Sequence, residues 1–101
     1  MDEQERVAEF VAENGLDCPP AYRLLDLAAE VGELAADANA ATGYGADPAA
    51  FDVSRDELGD ALFALLALCS DLDVDASAAL DESLAKYERR LDSTGAAGSG
   101  E

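Results

Sequence analysis

Two acidic pairs carry the chemical potential of this chain. Glu30-Val-Gly-Glu33 lies in one stretch and Glu57-Leu-Gly-Asp60 in another. Residues three apart on a helix share a face, so each pair sets two carboxylates side by side. Carboxylate oxygens are hard ligands suited to Mg²⁺ or Mn²⁺. Four of them on two packed helices repel one another, and one or two divalent cations resolve that conflict. Metal sites in bundle cores are built in this way from facing helices. The sequence contains no His. That removes the Glu-x-x-His element of redox di-iron sites, a Ser-His-Asp triad and any His-ligated zinc. Mg²⁺ is the better match, with Mn²⁺ next.

The spacing leaves a plainer alternative open. Asp26, Glu30, Glu33 and Asp37 form a narrow acidic stripe that would also suit the solvated face of an ordinary acidic helix. Asp26 and Asp37 fall outside the two motifs and are assigned to the surface. Glu57 fits the last position of a capping box, Ser54-Arg-Asp-Glu57. Asp60 is harder to assign to solvent. It stands one turn into a helix whose next nine residues, Ala61 to Cys69, are all apolar, and an unpaired charge there would be costly to bury.

The elements that must hold these groups are helices. A first is expected over Asp2 to Asn14, with Val7, Phe10, Val11 and Asn14 at helical spacing and Gly15 as a stop. Leu16 to Pro20 breaks the chain, because proline cannot continue a helix. A second helix is expected from Ala21 to Asn39, with Leu24, Leu27, Val31, Leu34 and Ala38 facing the core. Thr42-Gly-Tyr-Gly45 reads as a turn, and Asp47-Pro48 as the start of a short helical piece. A third helix starts at Ser54 and runs to Leu72; being apolar all round beyond Asp60, it should be buried all round. Asp75 is the expected N-cap of a fourth helix, Ala76 to Leu91, with Leu80, Leu84, Tyr87 and Leu91 as its core stripe. The pattern gives an all-α domain over residues 1–93, a four-helix bundle-like protomer. A Gly/Ala/Ser-rich tail over 94–101 is expected to be disordered.

The totals bound what such a domain can do. A chain of 101 residues buries only about 60–65% of the surface its unfolded form exposes. Three other helices can hardly cover the third, so a homo-oligomer, dimer or tetramer, is expected along the Ala-rich sides of helices two and three. There are 23 acidic and 6 basic residues, a net charge of −17, which argues against binding nucleic-acid polymers. Lys86 is the only lysine. An acidic surface with so little Lys suits solubility in a salt-rich, halophilic cytoplasm. Cys18 and Cys69 lack C-x-x-C spacing and read as buried free thiols of a reducing compartment. No leader opens the chain and no apolar run reaches about 18 residues, so a cytoplasmic protein without a membrane partner is expected.

The ordered pair of motifs resembles the MazG-like family of all-α nucleotide pyrophosphohydrolases, whose signature is E-x-x-E, a spacer, then E-x-x-D. The flanks Leu27-Ala-Ala-Glu-Val-Gly-Glu-Leu-Ala35, Asp56-Glu-Leu-Gly-Asp-Ala-Leu-Phe63 and Leu72-Asp-Val-Asp75 share the likeness, which covers about residues 20 to 91. The resemblance implies hydrolysis of a nucleoside triphosphate to the monophosphate and pyrophosphate. Glu30, Glu33, Glu57 and Asp60 would hold Mg²⁺, and Glu33 or Glu57 would orient the attacking water. Lys86 and Arg90 match the cations that the family carries on its last helix and would contact phosphates. Tyr87 stands where the family often has Asn, and Tyr22 is a poor substitute for the aromatic residue at the front of the family site. For Lys86 an i, i+4 pair with Glu82 is an equal alternative.

Two other functions fit the same residues. One is a non-catalytic oligomerisation or regulatory module that keeps a metal site. The other is a related diphosphohydrolase acting on a biosynthetic nucleotide intermediate.

Overall fold

A computed structural model describes residues 2–94. Those residues form four α-helices and one 3₁₀ turn, with no strand among them. The tail expected over 94–101 lies outside the described residues, except for Thr94, which ends the last helix.

Each helix begins and ends for a local reason. α1 (Glu3–Glu13) is capped by Asp2, whose side chain accepts the Glu5 N–H at 2.8 Å. It stops at Gly15, φ +64°, where the Leu16 N–H reaches back to the Val11 carbonyl at 3.0 Å. α2 (Pro20–Thr42) starts with proline in the first turn, where no N–H is missed. It runs three residues past the expected end because Ala40 and Ala41 favour helix, and it stops at Gly43, whose left-handed backbone lets the Tyr44 N–H reach Asn39 O at 2.8 Å. A 3₁₀ turn, Pro48–Ala50, follows. α3 (Arg55–Asp71) is capped by Ser54, whose Oγ accepts the Glu57 N–H at 3.0 Å. α4 (Ala76–Thr94) follows Asp75, whose Oδ1 accepts from the Ser77 and Ala78 N–H groups at 3.0 and 3.3 Å.

α3 is the centre of the packing, with α2 along one side and α1 along another. α2 and α3 are antiparallel in a register pinned at both ends. At one end Arg23 Nε donates to Asp71 Oδ2 at 3.2 Å. At the other Asp37 meets Glu57. The same register sets Glu30 opposite Ala64 and Leu27 opposite Ala67. Ala64 and Ala67 are fully buried, and their small side chains let the helices approach closely. On the α1 side Phe10 stands edge-on to Phe63, ring centroids 6.2 Å apart. Val11 and Leu66 complete the buried apolar set.

Three expectations about burial need correction. α2 is rotated: Arg23 and Thr42 are buried while Leu24 and Val31 are exposed. Arg23 dictates the rotation, because its guanidinium must reach both Asp71 and the Leu16 carbonyl, the latter at 2.6 Å. α3 is left uncovered along Leu58, Leu62 and Leu65 in the single chain, as expected of a helix that three others can hardly cover. The α4 stripe Leu80, Leu84, Tyr87 and Leu91 is exposed too. α4 leans off the body, touching it chiefly near its junction with α3. The radius of gyration is 16.6 Å, against about 13 Å for a closed domain of this length. Cys18 and Cys69 are free, as expected, but only half-buried. Among the described residues, no helix is long and apolar enough to cross a membrane.

Candidate metal centre

The site builds from the antiparallel contact of α2 and α3. On α2 the residues turned toward α3 are Arg23, Leu27, Glu30, Leu34, Asp37 and Ala41, spaced alternately four and three apart. Two carboxylates therefore lie on the packed face rather than on the solvated one. α3 answers with Glu57 in its first turn and Asp60 one turn further on. Ser54 fixes the start of α3 by taking the Glu57 N–H. The Glu57 side chain is thereby free to turn to Asp37 instead of closing the capping box.

Six carboxylates gather here. Glu30 has Glu33, Asp60 and Asp26 as charged neighbours. Glu57 has Asp37, Glu33 and Glu30. Glu30 and Glu57 are half-buried, whereas Glu33 and Asp60 are exposed. Asp60 therefore stands at the open edge of the contact, not inside an apolar shell as the sequence implied. Glu30 Oε2 and Glu57 Oε2 are closed off from solvent, and no donor satisfies either.

The electrostatic result follows. Glu57 is pushed up to about 7, first by its hydrogen bond with Asp37, which exists only while one of the two keeps a proton, then by burial and by the charges of Asp37, Glu33 and Glu30. Glu30 is raised above the usual carboxylate range, first by burial and then by Glu33 and Asp60. Like charges on facing helices hold protons that isolated carboxylates would release.

Asp37 was missed by the sequence reading, which assigned it to the surface. The missed signal was its position, seven residues after Glu30 and three after Leu34, hence on the same face as both. Asp26 is exposed, as expected. Lys86 and Arg90 lie on α4, the helix that leans off the body. They flank Tyr87 on α4, with Lys86 Nζ 5.0 Å and the Arg90 guanidinium 6.0 Å from its ring centroid. Lys86 thus rests on its aromatic neighbour.

The residues fit a hard divalent cation by donor type. All donors are carboxylate oxygens, and two of these are orphaned in a dry contact, where a cation would satisfy them. Among the described residues, no three such side chains converge closely enough to hold an ion as they stand. Glu57 turns instead to Asp37.

No protein-family model matches the chain, and neither a curated protein nor a solved structure matches it.

Proposed function

We propose that this protein is a Mg²⁺-dependent nucleotide pyrophosphohydrolase of the MazG-like kind. It would cleave an NTP or dNTP between the α and β phosphates, giving the monophosphate and pyrophosphate, and act as a homo-oligomer in a salt-rich cytoplasm. The observation that carries the reading is the pair of orphaned oxygens, Glu30 Oε2 and Glu57 Oε2, on facing helices within one carboxylate cluster. Structural carboxylates are normally hydrogen-bonded or paired with cations; these meet other carboxylates.

In this reading Glu30, Glu33, Glu57 and Asp60 hold the cation. Bound there, Mg²⁺ would supply Lewis-acid polarisation of the phosphoryl oxygens. Glu33 or Glu57 would orient the attacking water and take up its proton. The water oxygen bonds to the α-phosphorus, the bridge to the β-phosphate breaks, and pyrophosphate leaves. Asp37 positions Glu57 through their hydrogen bond. Lys86 and Arg90 would add positive charge at the phosphates.

The placement of Lys86 and Arg90 on the helix that leans off the body favours one competing reading, a non-catalytic helical module that keeps the carboxylates. An assay separates the two. Purified protein at high salt is incubated with a panel of NTPs and dNTPs, with and without Mg²⁺, and pyrophosphate is measured. Mg²⁺-dependent release from at least one nucleotide is expected. No release from any would sink the catalytic reading.

A further inference from the structure

Two apolar stripes of this chain are mirror images about one turn. On α3, Leu58, Leu62 and Leu65 are about half exposed and Cys69 is half-buried. On α4, Leu80, Leu84 and Leu91 are about half exposed, with Tyr87 between the last two. Read outward from the turn at residues 72–75, both stripes step by four, three and four. That alternation is the seam along which two helices pack as a left-handed pair. The match goes beyond the period. Cys69 with Leu80, Leu65 with Leu84, Leu62 with Tyr87 and Leu58 with Leu91 are all centred on one point, the peptide bond between Val74 and Asp75. Seams that meet another molecule need share no centre with their own turn. Seams that close on each other as a hairpin across a short turn must share one.

The margins of the seams agree with the same register. At about 100° per residue, Lys86 and Arg90 lie along one margin of the α4 seam, and Asp81 and Glu88 along the other. The matching margins of α3 differ in the same sense. One carries Glu57 and faces α2, and the other carries Gly59 and Leu66 and faces α1. Antiparallel helices that face each other bring like margins together. Folding α4 onto α3 therefore sets Lys86 and Arg90 on the side of the carboxylates. Asp81 and Glu88 fall on the side of α1, where Arg6 and Glu3 line the surface.

In the position observed the seams do not meet, because the turn is held from outside. Gln4 Nε2 donates to Ser70 Oγ at 3.3 Å and to the Val74 carbonyl at 2.7 Å, and its Oε1 accepts the Ala76 N–H at 2.8 Å. Asp73 is left-handed, φ +59°, and the Val74 N–H donates to the Cys69 carbonyl at 2.8 Å. α4 then touches the body chiefly near its junction with α3, and the radius of gyration is 16.6 Å. The Gln4 bonds lie at or near the surface, so water replaces them when they break. Closure needs a change of backbone only at residues 72–75.

We propose that α4 is a hinged arm with two positions. Gln4 latches the open one. In the closed one α4 folds back on α3 of its own chain, and the two seams meet pair by pair. The arm and its latch do not depend on the catalytic reading, and their test uses neither nucleotide nor metal. One consequence does rest on that reading: closure is the movement that lays Lys86 and Arg90 beside the phosphates of a nucleotide held at the carboxylates.

Cross-linking within the full chain tests the closed position. Leu65→Cys and Leu84→Cys are combined in a Cys18→Ser, Cys69→Ser background. Copies labelled with heavy nitrogen are mixed with unlabelled copies and treated with a short bis-maleimide. Mass spectrometry of the linked peptides should find the two cysteines joined within one chain. Adding Gln4→Ala should speed the link about tenfold, because the three hydrogen bonds no longer oppose closure. Leu65→Cys combined with Arg89→Cys, which lies opposite the seam, should give no link. Linked peptides of mixed isotope overturn the proposal, since they put another copy on the seam. So does a link to the Arg89→Cys position as fast as that to the Leu84→Cys position, or no link in the Gln4→Ala protein. A link whose rate is the same with and without Gln4→Ala overturns the latch. Should Gln4→Ala fail to fold, the slower link expected with Gln4 in place decides, and its absence there overturns the closed position.

Discussion

The two ends of the α2–α3 pair share one register and opposite electrostatics. At one end Arg23, only 7% exposed, meets Asp71 and the Leu16 carbonyl, and every charge has a partner. At the other, Glu57 meets Asp37 with Glu30 and Glu33 close by, and two oxygens have none. The first arrangement needs nothing further and serves the fold. The second is stable only with a bound proton or a bound cation. Function is to be sought at the end the fold leaves unsatisfied.

Substitutions should separate the two ends sharply. Arg23→Ala removes the hydrogen bonds to Asp71 and the Leu16 carbonyl, and should lower stability by about 1 to 3 kcal/mol, read by urea denaturation. It should leave any Mg²⁺ effect on the remaining fold intact. Glu57→Gln should act in the opposite sense. It should abolish Mg²⁺-dependent pyrophosphate release by about 100-fold or more, while the protein at pH 8 without metal melts no lower than wild type. A Glu57→Gln protein as active as wild type would remove Glu57 from the proposed site.

Mg²⁺ itself should discriminate. At about 100 times its dissociation constant it should add about 2.7 kcal/mol to native stability. Thermal melting checks this, and Asp60→Ala should remove most of the gain while Arg23→Ala should not.

The smallest effect is the pH dependence without metal. Glu57 is held above its ordinary value, so the native state binds more protons than the unfolded chain between about pH 4.5 and pH 7. Stability should therefore fall as pH rises through that window and level off above it, the reverse of a salt-bridged carboxylate. Asp37→Asn should flatten the slope, since it removes the charge and the shared proton together. Denaturation midpoints across pH 4.5 to 8 check the sign, and a rise with pH would contradict the carboxyl–carboxyl contact.

Much of the fold was legible in the sequence because its signals are local. Ser54 and Asp75 act as N-caps where expected, and Gly15 and Gly43 end helices. The rotation of α2 was not legible. Leu27 and Leu34 belong equally to the apolar stripe beginning at Leu24 and to the mixed stripe beginning at Arg23. With Ala filling so many other positions, hydrophobicity cannot choose between the two. The choice is made by a long-range ion pair across 48 residues of sequence. Asp37 was lost with that rotation, while Glu30, Glu33, Glu57 and Asp60 were found because their motifs do not depend on it. The lean of α4 was equally hidden, since nothing near Gln4 in the sequence announces its bonds to Val74 and Ala76.

Those bonds bear on how the chain folds. Gln4 and Ala76 are 72 residues apart, and closing a loop that long from an open chain would cost about 4 kcal/mol in entropy. The contact of Phe10 with Phe63 shortens the search, because apolar packing of α1 on α3 already brings the two segments together. The Gln4 bonds can therefore form last, on a body already assembled. The direction of α4 would be the final decision of folding, taken by one side chain near the start of the chain.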